Sequence, residues 1–326
     1  MQWSRLIVGG LAASSLALSA CGSGGEGGSD ADDAVSIGII TMMSHPALDA
    51  AQAGFIEAME EEGYVEGENL TLDIQNGSGD QSTLANIAST FASGDADLFY
   101  AIATPSALAL AQTEAERPIV FAAVTDPVEA GLVSSWEAPD ANITGVSDMN
   151  PMDAQVALLQ EIKPDVKKVG IVYASGEVNS EVQVKQAQEA ASAAGIEVVT
   201  STVTNTSEVQ QAAQTLDVDA FLVPTDNTVV SAVESVIQVA EQKGIPVVAS
   251  DESTMERGAV AGLSVNYTQQ GRDAAALALK LLDGAEPSTL PVETQKEFDL
   301  FVNPGAAEAQ GVELPQEVID RAAKQF

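Results

Sequence analysis

Cysteine, histidine, basic and aromatic residues are all scarce in this chain of 326 residues. One cysteine, Cys21, excludes a disulfide framework and any cysteine-cluster metal site. One histidine, His45, argues against imidazole acid–base chemistry and against metal ligation, since no second His or Cys exists to complete a site. Only 13 Lys+Arg stand against 48 Asp+Glu, a formal net charge of −35. The dense basic surface that nucleic acid or an anionic membrane requires is therefore missing. Aromatics make up 4% of the chain, and Phe55, Phe91, Phe99 and Phe221 fall at core-type positions rather than in a cofactor box. Gly-x-Ser-x-Gly elbows and Walker-type loops are also absent. Nothing in the sequence asks for a catalytic residue, a metal or a cofactor.

What is present begins with a processing signal. One Arg precedes an apolar stretch over 6–18 that is too short and too weakly apolar to span a bilayer. It ends in Leu18-Ser19-Ala20-Cys21, similar to the lipobox of bacterial lipoproteins, in which the cysteine becomes the lipidated N-terminus. Residues 1–20 then read as a lipoprotein signal peptide and 21–33 as a flexible Gly/Ser/Asp tether. The twelve residues 22–33 reach roughly 40 Å when extended. This expectation places the protein outside the cytoplasm, anchored to the cell membrane through Cys21.

From residue 34 the chain alternates strand and helix. Apolar runs at 35–40, 98–103, 119–123, 168–173, 220–223 and 246–249 have the continuity of buried parallel strands, and 69–75 and 196–203 alternate. Between them lie helical spacings such as Leu48, Ala51, Phe55, Ile56 and Met59, with Gly63 placed to end the helix. Repeated β-α-β units imply parallel sheets covered by helices on both faces. There is also an internal echo. Asp97 to Ser106, a helix and 117–126 follow the same plan as Asp219 to Asp226, a helix and 244–251, each ending in a Ser/Thr-Asp loop. Two topologically similar α/β domains follow from it.

Ligands of open α/β sheets bind at the carboxyl ends of strands, beside helix N-termini. Here those ends carry Thr41 to His45, Thr104-Pro105-Ser106, Thr125-Asp126-Pro127, Ser175 to Ser180, Thr225-Asp226-Asn227 and Ser250-Asp251-Glu252, with no Arg or Lys among them. Hydroxyls and helix starts suit a carboxylate, and Asp suits an ammonium group, so a small zwitterion fits better than a phosphate. Thr104, Asn179 and Asp226 also sit where helix caps belong, and Asp126 and Asp251 where turn residues belong. Tyr100, Tyr173 and Tyr267 lie at or beside strand ends, within possible reach of a cleft.

The stretches His45 to Asp49, Thr104 to Ala107, 118–127, 143–148, 176–180, 224–228, 248–251, 258–267 and 303–311 together resemble the ABC transporter substrate-binding protein family, in particular its tryptophan/tyrosine-type aromatic amino-acid binding lipoproteins. The resemblance implies a type I periplasmic-binding fold: two doubly wound parallel-sheet lobes joined by a three-crossover hinge. It implies lobe 1 over 34–145 plus 263–288 and lobe 2 over 146–262 plus 289–326, with crossings near 142–147, Leu263 and 285–292. Carried over, the cleft residues are His45, Thr104, Ser106, Thr125, Asp126, Asn179, Ser180, Thr225, Asp226, Asn227, Ser250 and Asp251. Thr104 and Ser106, aided by Asn179 and Ser180, are expected to hold a ligand carboxylate, and Asp226 or Asp251 its ammonium group. The partners implied are an amino acid and ABC permease subunits, with the protein a monomer and an enzyme of no kind. Branched-chain amino acids and peptides remain open as ligands. A ligand-sensing receptor module shares the fold, but it needs a transmembrane or helix-turn-helix segment, and neither is visible.

Overall fold

The computed structural model describes residues 34–326; Cys21, the signal segment and the tether lie outside them. The chain runs β1 (Val35–Thr41), α1 (Pro46–Glu61), β2 (Leu70–Asn76), α2 (Gln81–Ala92), β3 (Leu98–Ile102), α3 (Thr104–Ala111), β4 (Ile119–Ala122) and β5 (Ile143–Ser147). It continues through α4 (Met152–Ile162), β6 (Lys168–Ala174), α5 (Val178–Ala193), β7 (Glu197–Val203), α6 (Val209–Thr215) and β8 (Ala220–Val223). Then come α7 (Asn227–Ser231), α8 (Val233–Lys243), β9 (Val247–Ala249), α9 (Glu252–Glu256), β10 (Ala261–Ser264) and α10 (Tyr267–Leu282). The last elements are β11 (Glu293–Thr294), β12 (Asp299–Val302), α11 (Pro304–Ala309), α12 (Gln316–Arg321) and β13 (Lys324–Gln325).

Two sheets form, in the orders β11-β5-β4-β3-β1-β2 and β13-β12-β10-β9-β8-β6-β7. Within each, five strands share one winding: second, first, third, fourth, fifth. Pairing is parallel throughout except where β12 runs against β10. The shared winding extends to single residues. Gly38 of β1 lies beside Phe99 of β3, and Gly170 of β6 beside Phe221 of β8. A Cβ added at either glycine would come within 2.9 Å of the phenyl ring, so each ring lies flat over a neighbour that has no side chain. Asp97 accepts the Ser36 amide at 2.8 Å, and Asp219 accepts the Lys168 amide at 2.8 Å. The sequence echo is thus a structural repeat.

Phe55, Phe91, Phe99 and Phe221 are buried in the cores. Tyr100 joins them, stacked on Phe55 at 4.1 Å and donating its hydroxyl to the Ala51 carbonyl. The lobe passages fall slightly later than the resemblance implies. β5 belongs wholly to the first sheet, so the first passage is 148–151. β10 stays in the second sheet and the next passage follows Ser264. β11 pairs with β5, so the last passage lies beyond Thr294 rather than at 285–292. The physical reason is the Thr144 hydroxyl, which donates to the Leu290 carbonyl at 2.9 Å and ties this segment to β5.

Candidate functional site

In such a winding the chain leaves in opposite directions from the first and third strands, and the gap between their connections is the natural ligand crevice. In the first sheet that gap lies between the loops after β1 and β3, which carry His45, Thr104 and Ser106. In the second it lies between the loops after β6 and β8, which carry Glu177, Asn179, Thr225 and Asn227. The two gaps face each other. His45 Nε2 stands 3.4 Å from Asn227 Oδ1, and Thr125 Oγ1 is 3.4 Å from Thr225 Oγ1. Gln81 donates to the Gly176 carbonyl at 2.8 Å, and Pro105 of α3 shares a mouth-side pocket with Val178 of α5.

His45, Thr225, Asp226, Asn227 and Asp251 line a central cavity of about 10 Å³ together with Asp148 and Tyr267. A hinge-side pocket of about 180 Å³ adjoins it, sharing Ala47, Asp251 and Tyr267. Among the described residues four buried side-chain atoms have no hydrogen-bond partner: His45 Nδ1, Thr104 Oγ1, Ser106 Oγ and Asn179 Oδ1. All four stand at or within the first turn of the helices that open onto the two crevices, His45 at α1, Thr104 and Ser106 at α3 and Asn179 at α5. Buried polar groups are almost always satisfied, and these four atoms are exceptions. The backbone there is forced. Ala103, at φ 80° and ψ 151°, occupies a region that is normally reserved for glycine. Ala123, after β4, also has a positive φ, 56°. Each turns its strand sharply into the cleft.

Other expected residues brace the loops instead. Asp126 does not line the cavity; its Oδ1 caps the following turn through the Val128 and Glu129 amides, both at 3.0 Å. Ser250 donates to the Val223 carbonyl at 3.3 Å, linking β9 to β8. Ser180 donates to Asp226 at 2.6 Å. Asp226 is an N-cap whose oxygens also accept the Val229 and Ala174 amides at 2.7 and 2.6 Å. Asp251 is likewise an N-cap, accepting from the Thr254 amide and the Ser253 and Thr254 hydroxyls. Thr104 and Asn179 are not caps; Ala103 and Glu177 occupy those positions.

Four further residues stand at the site: Asp148, Glu177 and Gln183, which the sequence reading did not name as cleft residues, and Tyr267, which it named only among three tyrosines near strand ends. A directed chain of hydrogen bonds joins three of them across the cleft. Gln183 Nε2 donates to Thr225 Oγ1 at 2.8 Å, and Thr125 Oγ1 donates to Asp148 Oδ1 at 2.8 Å. Thr225 is therefore the donor in the threonine pair between them. Tyr267 completes Asp148 by donating to Oδ2 at 2.8 Å. Of the three tyrosines near strand ends, this is the one that lines the cavity. The signal for Asp148 was its place directly after β5, equivalent to the Ser/Thr-Asp loops that were noticed.

Burial governs the ionisation of these groups. It raises the Asp148 carboxyl above its usual range, against the hydrogen bonds from Tyr267 and Thr125. It raises Asp226 to about 7, helped by the neighbouring Glu177 charge. It lowers His45 below its ordinary value, opposed by Asp251, so the imidazole is neutral at pH 7. Among the described residues no cluster of His, Cys, Asp and Glu could hold a metal ion. No described helix is long and apolar enough to cross a membrane.

Comparison with known proteins bears on the whole of this architecture. A family model described as ABC transporter substrate binding protein matches residues 36–326. A tyrosine-binding protein of Clostridioides difficile is 41% identical over 270 residues, covering 82% of this chain and 78% of the relative. A Streptococcus pneumonia domain solved in complex with L-Trp superposes with a TM-score of 0.87 at 32% identity, covering 90% of this chain and 100% of that one. A ligand-free, open substrate binding protein from Clostridium difficile gives only 0.67 at 39% identity, covering 89% and 98%. Of these two solved structures, the more identical chain is the poorer structural match.

Proposed function

The chain belongs to the ABC transporter substrate-binding protein family, and from that membership we propose that its cleft captures a free aromatic amino acid. Proteins of this family work outside the cytoplasm and serve transport rather than catalysis. The observation that carries the reading is the set of four unpartnered buried polar atoms at the facing crevices, in a cleft whose lining holds no Lys or Arg. Two hydroxyls at the start of α3, Thr104 and Ser106, suit a carboxylate beside a helix N-terminus. Lobe 2 supplies an acceptor for an ammonium group in Asn179 Oδ1. The tyrosine-binding relative and the L-Trp complex favour an aromatic side chain.

Mechanistically, a solute bridging both lobes binds the closed form better than the open one, and this difference shifts the hinge equilibrium toward closure. An ABC permease then reads the closed shape. Lipidation of Cys21 and the tether 21–33 would hold the protein, as a monomer, within reach of that permease. Thermal-shift screening of the twenty amino acids with sugars and phosphate compounds tests the proposal. L-tryptophan or L-tyrosine at a hundredfold excess over Kd should stabilise the protein by about 2.7 kcal/mol. A response to sugars or phosphates alone overturns it.

A further inference from the structure

Glu177 is buried, and five donors converge on its two oxygens. They are the Asn227 and Thr228 amides, the Thr228 hydroxyl, and the side-chain nitrogens of Asn179 and Asn227. Main-chain N–H groups can only donate, so both oxygens act as acceptors. The side-chain atoms of Asn179 and Asn227 that face Glu177, at 3.1 and 2.5 Å, must then be amide nitrogens. Each amide oxygen points away from the carboxylate.

That orientation propagates across the cleft. Asn227 Oδ1 lies 3.4 Å from His45 Nε2, and an acceptor at that place requires the proton to be on Nε2. A neutral imidazole carries one such proton, so Nδ1 is left as a bare acceptor. His45 Nδ1 and Asn179 Oδ1 are two of the buried atoms without a partner. Asp226 and Asp251, the carboxylates expected to take an ammonium group, are each already engaged by three donors.

We propose that Glu177 is the positioning residue that sets the hydrogen-bond polarity of the closed cleft, turning Asn179 and, through Asn227, His45 into acceptors for the ligand's ammonium group. The identity of the ligand rests on the reading above; the polarity rests on the hydrogen-bond geometry and on the neutral imidazole that burial favours. Glu177 is not among the residues that line the central cavity. It acts through two amides and one imidazole, and part of the relay exists only when the lobes meet.

The single histidine makes the test direct, because its ring nitrogens give the only imidazole 15N signals in the chain. In the wild type, Nε2 should carry the proton. The Nδ1 resonance should move on adding L-tryptophan but not 3-(indol-3-yl)propionate, which lacks the ammonium group. Glu177→Gln, whose amide can donate as well as accept, should abolish that movement. It should also cut the affinity ratio of L-tryptophan over the propionate by about tenfold or more, the worth of a hydrogen bond to a charged group. Should that variant fail to fold, Asn227→Ala breaks the relay to His45 while keeping Glu177, and should likewise abolish the Nδ1 response. A wild-type proton on Nδ1, or an unchanged ratio in a folded Glu177→Gln, overturns the proposal. A wild type that shows the Nε2 proton and loses it in Glu177→Gln, yet binds neither L-tryptophan nor L-tyrosine, sinks the aromatic reading and upholds the polarity.

Discussion

At the scale of residues, Asp148 stands on the first passage between the lobes, held from the lobe 1 side by Thr125 on one oxygen and Tyr267 on the other. Its carboxyl sits above its ordinary value near 3.8 because it is buried. The folded state therefore holds this proton more tightly than the unfolded one, and the stability linked to the group is full at low pH and declines as pH rises past that ordinary value. Asp148→Asn keeps the shape, and both hydroxyls can turn to suit it. Its urea midpoint should exceed that of the wild type at pH 8, with the gap closing toward pH 4; a gap independent of pH would refute the assignment. Asp226, raised to about 7, has the same sign, whereas His45, lowered by burial, loses its contribution as pH falls. Both are common to the two proteins and cancel in the difference. The sequence showed where small polar residues cluster, and most of its cleft residues do stand on the facing loops. It could not separate residues with free polar atoms, such as Thr104 and Ser106, from braces such as Ser250, because that depends on partners brought in by other strands.

Helix α1 and helix α10 form the element on which the cleft's hinge side is hung. α1 presents His45 at its N-cap, and α10 begins with Tyr267. Their backbones touch through glycine. A Cβ at Gly54 would meet the Thr268 carbonyl oxygen at 2.2 Å, and one at Gly271 the Ala51 oxygen at 2.1 Å. Gly271→Ala must push the helices apart and should cost about 1–3 kcal/mol, read as a lower urea midpoint at unchanged m-value; an unaltered midpoint would show that the helices adjust freely. Helix α1 was legible from its apolar spacing, but the glycine approach between it and α10 was not, because the two segments are far apart in the chain. β5 escaped for a related reason. Its sequence Ile-Thr-Gly-Val-Ser has no continuous apolar run, and Gly145 is there because a Cβ would meet the Phe121 oxygen of β4 at 2.2 Å.

At the scale of the whole molecule, few direct bonds among the described residues cross between the lobes, and Gln81 to Gly176 lies at the mouth, on the apolar pocket that also holds Leu84 and Val178. Removing one such bond costs the closed state about 1 kcal/mol, and apparent affinity falls with the fraction of molecules able to close. Gln81→Ala should thus weaken L-tryptophan binding about fivefold by calorimetry and enlarge the ligand-free radius of gyration in solution scattering; no change in either would place the closing energy elsewhere. The sequence by itself determined two similar units of alternating strand and helix and the polar loops at their strand tips, since apolar runs, helical spacing and Gly/Pro breaks act between near neighbours. Only the tertiary structure decided which groups in the cleft donate and which accept. Those roles are fixed by pairs as distant as Glu177 with Asn227 and His45 with Asn227, 50 and 182 residues apart, and a buried polar atom takes its role from whatever partner the fold sets beside it.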